Sequence, residues 1–264
     1  MGSNDIPRSI GNRYFREIRG LIEENRSNIW TAFQKEIIPR IHQYRNLTAN
    51  RLTVNDPYDE IRRITNRLRQ QGERVFSIPI VERIVRRFVE DMNNNQKRRF
   101  GQRMSRVLGF DPTRNEPWLS SFLETAIQDN VNWIKSIQSE YHDKIETIIT
   151  QGVRRGSSIR NMASEIAEVG NVEVRRARFI ARDQMGSIHG DLTKRRQEES
   201  GIKRFRWSTS GDERVRDSHE DLDGEIFEWS KGATNERGET IWPGTDYNCR
   251  CTAEPVLEDL LEDD

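Results

Sequence analysis

Apolar residues recur at three- and four-residue steps through most of the chain up to Glu199, which predicts long amphipathic helices. Phe15, Ile18, Ile22, Ile29, Phe33 and Ile37 mark the first helix, over 14–38, with Pro39 as its expected breaker. Asp56-Pro57 reads as a helix start, the carboxylate capping and the proline in the first turn. The stripe Tyr58, Ile61, Ile64 and Leu68 follows, with a stop expected at Gly72. Ile80, Ile84, Phe88 and Met92 predict a third helix beyond Pro79, and Leu108–Pro112 reads as a loop. Between Pro117 and Gly152 there is neither glycine nor proline. Leu119, Phe122, Ala126, Ile134, Ile137, Tyr141, Ile145 and Ile148 therefore predict a helix of more than about 30 residues, which needs partners along its length. Ser157 or Ser158 is expected to cap a short helix that Gly170 breaks. A separate helix is expected from Val172 to Glu199, with Gly201 as its stop.

After Gly201 the period changes. Arg204, Phe205, Arg206 and Trp207 alternate as a strand does, with Phe205 and Trp207 on one face. Ser210-Gly211-Asp212 is a turn, Arg214–Asp221 one or two helical turns, and Ile226–Trp229 a second short strand. Residues 232–239 read as a loop, Trp242-Pro243-Gly244 as a turn, and Cys249–Ala253 as a last strand. The expected fold class is mainly α: a long-helix N-terminal part followed by a small irregular α+β C-terminal module. The expected divisions are an Arg-rich helical region (1–110), a long-helix region (116–200), the module (201–255) and an acidic tail (256–264).

Composition sharpens this picture. The 264 residues are 33% hydrophobic and 33% charged, so core material is limited. Parts of the N-terminal helices are therefore expected to stay exposed in an isolated monomer. Net charge is zero but unevenly spread. Of 43 basic and 43 acidic residues, 5 and 17 fall from Trp207 onward, leaving 38 and 26 before it. The two parts are expected to face different neighbours. No apolar run approaches the roughly 18 residues of a membrane span. The N-terminal MGSNDIPRSIG lacks the apolar segment of a secretory signal, and Ile6 stands where myristoylation requires Ser or Thr. Folding in a reducing cytoplasm is expected.

The module is too small to bury much apolar surface by itself, so a staple is expected. Its two cysteines, Cys249 and Cys251, lie in a C-x-C spacing that strains a disulfide. Metal ligation or free thiols fit better. His219, Cys249 and Cys251 are ligand types that zinc prefers. Asp212, Asp217, Asp246 or water could complete the set, with Asp212 taken as the fourth candidate. In a strand, Cys249 and Cys251 share a face, which permits joint coordination. The plainer reading makes the cysteines small buried residues and His219 a hydrogen-bonded core residue. His219 among Asp212, Asp217, Asp221 and Asp223 also has the composition of a metal-dependent hydrolytic centre. No nucleophile-elbow, P-loop or H-E-x-x-H motif accompanies it, and catalysis is not expected. Arg62, Arg63, Arg86, Arg87, Arg98 and Arg99 are candidates for phosphate contact with nucleic acid. They are equally solvated helix faces paired with Glu60, Glu82 and Glu90.

One ordered series carries a resemblance. It runs Gly152-x-x-x-Gly156-x-Ser158, Ala177-Arg178-Phe179-Ile180-Ala181-Arg182-Asp183-Gln184, Glu199-x-Gly201-Ile202 and Phe205-x-Trp207-Ser208-Thr209. Asp212-x-Arg214-Val215-Arg216-x-x-His219, Leu222-Asp223-Gly224, a Pro-Gly element and Cys249-Arg250-Cys251 complete it. Over roughly 151–255 the chain resembles the Mu F-like minor head protein family of tailed phages, the head morphogenesis family. The resemblance implies a minor capsid protein that docks at the portal vertex or inner procapsid and assists head assembly and DNA packaging or ejection. The implied partners are the portal protein, the major capsid or scaffolding protein and packaged DNA, with no membrane. The implied location is the virion, in the head interior or at the portal vertex, and the host cytoplasm during assembly. The family motif maps to Asp212, Arg214, His219, Gly224, Cys249 and Cys251. Two departures stand out: Asp183-Gln184 replaces the Thr-Glu of many members, and Arg216-x-x-His219 replaces a second C-x₂-C of some. At most three Cys/His ligands remain. The alternatives from other classes are a sequence-independent DNA-binding protein and a metal-dependent nuclease.

Overall fold

A computed structural model of the chain describes residues 6–49, 57–213 and 215–258. The N-terminal stripe forms α1 (Arg8–Ala32), a π-helical turn (Phe33–Ile37) and α2 (Ile38–Ala49) in unbroken succession. Pro39 is thus not a breaker. It is the second residue of α2, directly after the π turn. The π turn takes up the mismatch, with the Ile38 N–H donating to Phe33 O, five residues back. The expected cap at Asp56 and the side chain of Tyr58 lie outside the described residues. α3 (Pro57–Val75) runs past Gly72. That glycine serves packing: a Cβ there would lie 2.0 Å from His142 Nε2. α4 (Ile78–Leu108) takes Pro79 in its first turn and continues through the basic run 96–99. The expected loop follows, with Gly109 at φ +76°. Asp111 then caps a 3₁₀ turn (Pro112–Arg114) by accepting from the Thr113 N–H at 2.9 Å.

α5 (Leu119–Arg154) has 36 residues, in line with the long uninterrupted stripe. α6 (Ile159–Glu199) has 41 and is one helix where two were expected. Ser158 caps it, accepting from the Asn161 N–H at 3.0 Å. Gly170 does not break it. A Cβ at that position would lie 3.1 Å from the Tyr141 hydroxyl and 3.2 Å from the Arg26 side chain, so the glycine makes room for neighbours.

The described residues divide into two compact units that interleave along the sequence. One comprises Phe15–Val85 and Asp129–Arg178, the other Met1–Tyr14, Arg86–Gln128 and Phe179–Asp264. In the first, Ile18, Ile22, Ile29 and Phe33 are buried, as are Ile61, Leu68, Ile134, Tyr141 and Ile145. Two of its buried polar contacts are specific: His142 Nε2 lies 3.2 Å from Asn25 Oδ1, and Lys144 Nζ is 2.8 Å from the fully buried Glu173. In the second, Tyr14 stacks flat on Phe88 at 4.0 Å. Arg196, 2% exposed, donates to Glu116 at 2.6 Å, to Asn93 Oδ1 at 2.6 Å and to Gln96. Lys97 reaches the same Glu116 at 3.2 Å. A buried cation with this many acceptors is tolerated; stripped of its partner it would cost about 3–5 kcal/mol.

The second unit also carries the mixed C-terminal part. β1 (Arg204–Ser208) lies between β2 (Ile226–Glu228) and β5 (Thr252–Pro255), antiparallel to both, with Phe205 opposite Phe227 and Pro255. β5 starts later than expected, so the cysteines lie in the segment that enters it rather than within it. The region expected as a loop contains a hairpin, β3 (Ala233–Thr234) and β4 (Thr240–Ile241). Asn235 organises its turn, its Oδ1 accepting from the N–H groups of Arg237 and Glu239 at 2.9 Å each. Gln197 of α6 fastens helix to sheet, donating to Ala253 O at 3.1 Å and accepting from Trp229 Nε1 at 3.2 Å.

Candidate metal centre

Two loops bring the candidate ligands together. The first leaves β1 and returns to β2. Its base is closed by the Trp207 N–H donating to Glu225 O and the Gly224 N–H donating to Trp207 O, both 2.8 Å. Gly224 turns the chain at φ +82°, a conformation that favours glycine. Asp223 Oδ1 accepts from the Thr209 N–H at 2.7 Å. This closed loop holds α7 (Asp217–Glu220), a single turn that points His219 inward beneath Trp207, edge to face at 5.6 Å. The second loop turns at Pro243-Gly244 and enters β5 through Asn248, a non-glycine residue at φ +53°. It lies against α6 at two glycines one turn apart. A Cβ on Gly186 would be 2.4 Å from Cys249 O, and one on Gly190 would be 2.3 Å from Pro243 O.

His219 Nδ1 lies 3.5 Å from Cys249 Sγ and 3.5 Å from Cys251 Sγ, and the three atoms all fall within 4.8 Å of one another. Their residues are 2%, 4% and 3% exposed. A tetrahedral zinc with Zn–S near 2.3 Å and Zn–N near 2.0 Å sets its nitrogen and sulfur ligands about 3.5 Å apart. The donor set and spacing therefore fit zinc. Nε2, on the far side of the ring, faces Asp246 Oδ2 at 3.3 Å, too obliquely for a hydrogen bond. That carboxylate is placed to orient the imidazole rather than to join the ligands. Arg216 braces it at 2.9 Å and also donates to Tyr247 O at 2.6 Å.

The charges follow from this geometry. A hydrogen bond from Cys251, and then one from His219, lowers the Cys249 thiol well below its ordinary range against the effect of burial. The thiolate so favoured, with burial, pushes Cys251 up. The hydrogen bond with Cys249 raises His219 despite its burial. The geometry favours the thiolate at Cys249, and a bound cation would favour a second at Cys251.

The other sequence candidates fall elsewhere. Asp212 lies outside the group, its carboxylate held by both terminal nitrogens of Arg250, one of them at 2.6 Å. Arg214 lies outside the described residues. Arg62 and Arg63 are exposed on α3 in one compact unit, whereas Arg86, Arg87, Arg98 and Arg99 lie on α4 in the other. Arg86 is paired with Glu124 at 2.9 Å. Three site residues went unassigned by sequence reasoning: Asp183, whose Oδ1 accepts from the Asn248 N–H at 2.8 Å, and the glycines 186 and 190. The spacing of those glycines, one turn apart on a predicted helix, was the available signal.

Comparison with known proteins decides the family of this part. Residues 143–254, from the last turns of α5 through β5, match the family model described as Phage Mu protein F like protein. This segment is Mu F-like. The Mu F-like segment holds every ligand of the candidate centre. An uncharacterized protein of Haemophilus influenzae is 40% identical over 168 residues, covering 64% of this chain and 36% of the relative. An uncharacterized protein of Methanocaldococcus jannaschii is 32% identical over 124 residues, covering 47% of this chain and 19% of the relative. The chain thus spans well under two thirds of the length of either relative. No solved structure matches the chain. No helix of the described residues is long and apolar enough to cross a membrane.

Proposed function

We propose that the chain acts as a minor capsid protein in phage head morphogenesis, docking at the portal vertex or inner procapsid and assisting head assembly and DNA packaging or ejection. The match of residues 143–254 to the Mu F-like family carries this reading. The role is architectural. Trp30, Trp133 and Ile78, 38%, 47% and 60% exposed, give the first compact unit apolar surface for a partner. Zinc held by His219, Cys249 and Cys251 would tie the His219 loop to the segment entering β5. It would supply the staple that strands of two to five residues need. Burial of all three ligands suits a structural ion better than one that must meet substrate.

Co-sedimentation of the purified chain with the portal protein of the same phage tests the docking. A saturable complex of defined ratio that survives moderate salt is expected. Binding to duplex DNA instead, with affinity collapsing as salt rises, would move the function to DNA handling.

A further inference from the structure

The two candidate sulfurs have different surroundings. Cys249 Sγ accepts from the backbone N–H of Cys251 at 3.4 Å. Cys251 Sγ has no backbone donor among the described residues; its neighbour is His219 Nδ1, at 3.5 Å. Trp207 shows the converse. Its side chain is fully buried, yet its indole N–H has no hydrogen-bond partner of good geometry among the described residues. Buried indoles usually find one, and an orphaned donor is costly. Two observations set this donor beside that sulfur. Trp207 pairs with Ala253 across β1 and β5, and Cys251 stands two residues before Ala253. Ring and thiol are thus diagonal neighbours on one face, and both belong to the same buried cluster. Both also approach the same imidazole, the Trp207 ring edge to face at 5.6 Å and Cys251 Sγ at 3.5 Å. The other buried indole of this cluster is already engaged: the Trp229 N–H donates to Gln197 Oε1 at 3.2 Å.

We infer that the Trp207 indole N–H is the hydrogen-bond donor to Cys251 Sγ in the metal centre, a positioning residue that gives each sulfur one N–H. The inference rests on the reading of His219, Cys249 and Cys251 as zinc ligands, and it names the group that makes the second thiolate tolerable. Two thiolates bring two negative charges into a place where all three ligands are almost fully buried. Charge buried without hydrogen bonds is costly. A zinc ion with two thiolates and one neutral imidazole carries no net charge, so what the sulfurs lack is a neutral donor rather than another cation. An N–H directed at a ligand sulfur fixes its orientation and draws electron density from it, which tunes how strongly it gives to the metal. The thiol itself registers the contact: Cys249 and burial push Cys251 up, and the Trp207 N–H works against them. Phenylalanine would offer an aromatic face at this position of β1; the N–H is what only tryptophan adds.

The test loads the full reduced chain, isotopically labelled at its tryptophan indole nitrogens, with a magnetically active cadmium isotope. One of the six indole N–H signals should split by coupling to the metal along the N–H···S–Cd path, and that signal should be missing from Trp207→Phe. The measurement on the unaltered chain needs no variant to fold. With cobalt instead, Trp207→Phe should keep a thiolate charge-transfer band and weaken binding about tenfold. The band should move to lower energy, because the sulfur regains electron density. Trp229→Phe removes an N–H that serves Gln197 and should leave the band where it is. Indole signals that all lack coupling, a band unmoved in Trp207→Phe, or an equal move in Trp229→Phe each overturn the proposal while the zinc reading stands. An unaltered chain that gives no thiolate band overturns both.

Discussion

The backbone N–H of Asn248 donates to Asp183 Oδ1 at 2.8 Å, so a helix side chain fixes the residue that immediately precedes Cys249. Asn248 is also the one described non-glycine residue with positive φ, at 53°. Asp183 therefore holds a strained turn in the shape that aims the cysteines at His219. Asp183→Ala should cost about 1–3 kcal/mol in urea unfolding, the worth of a hydrogen bond to a charged acceptor. It should also weaken metal binding, because the cysteines lose their bracket. Unchanged stability and metal affinity would show that the turn holds itself.

The ligand assignment makes a spectroscopic prediction. Cobalt or cadmium added to the reduced chain should give a thiolate charge-transfer band at one ion per chain. Cys249→Ser, Cys251→Ser or His219→Ala should each abolish that site. Asp246→Asn should keep the band and weaken binding roughly 10–100-fold, as loss of a group that orients a ligand does. Asp212→Asn should leave the band unchanged, because Arg250 already holds that carboxylate. A band lost in Asp212→Asn would return that residue to the ligand set.

Two glycine substitutions should move stability in opposite directions. Gly186→Ala brings a methyl group within 2.4 Å of Cys249 O, a backbone atom that cannot swing aside. A loss of about 1–3 kcal/mol is expected, as for overpacking, with weaker metal binding besides. Gly20→Ala, in the exposed middle of α1, meets nothing within 4 Å. It should stabilise the chain by about 0.5–1 kcal/mol. Chemical denaturation of both variants decides the matter.

Acid should destabilise the chain before its carboxylates protonate. Burial lowers the pKa of His142 and of His189 to about 4 each. Unfolded, each titrates near 6.5. Between these values the unfolded chain binds more protons, so stability falls as pH drops from about 6.5 towards 4. From pH 7 to pH 5 each histidine should remove about 2 kcal/mol. His142→Gln should halve the fall measured by urea titration at the two pH values. An equal fall in that variant would assign the acid sensitivity to other groups.

The helical half was legible because period and helix coincide: the stripes of α1, α4 and α5 carry Ile22, Phe88 and Ile137 into the core as expected. The errors in element boundaries there were of punctuation, while stripe positions such as Phe15 and Ile148 are half-buried beside the buried Tyr14 and Ile149. Pro39, Gly72 and Gly170 look like stops in one dimension, yet each is accommodated by something distant or local that the sequence does not display. A π turn absorbs the first, and His142 and Tyr141 fill the space beside the others. In the C-terminal part the candidate ligands were visible by type, because soft donors are rare in this chain. Their convergence was derived from a strand that begins too late. What brings the sulfurs together is the turn at Asn248 and its anchor on Asp183, a contact 65 residues apart in sequence. The hairpin of β3 and β4 escaped notice because strands of two residues leave no period to read.

The division of the chain has a practical consequence for anyone who would dissect it. Its boundaries fall between residues 14 and 15, 85 and 86, 128 and 129, and 178 and 179, inside α1, α4, α5 and α6. The Mu F-like match begins at residue 143, part-way along α5. A deletion drawn at that point severs a helix and removes the acceptors of Arg196, leaving a buried guanidinium without Asn93 and Gln96 of α4 or Glu116. Cloning by family boundary should therefore yield insoluble fragments, and function is better mapped by point substitution in the intact chain.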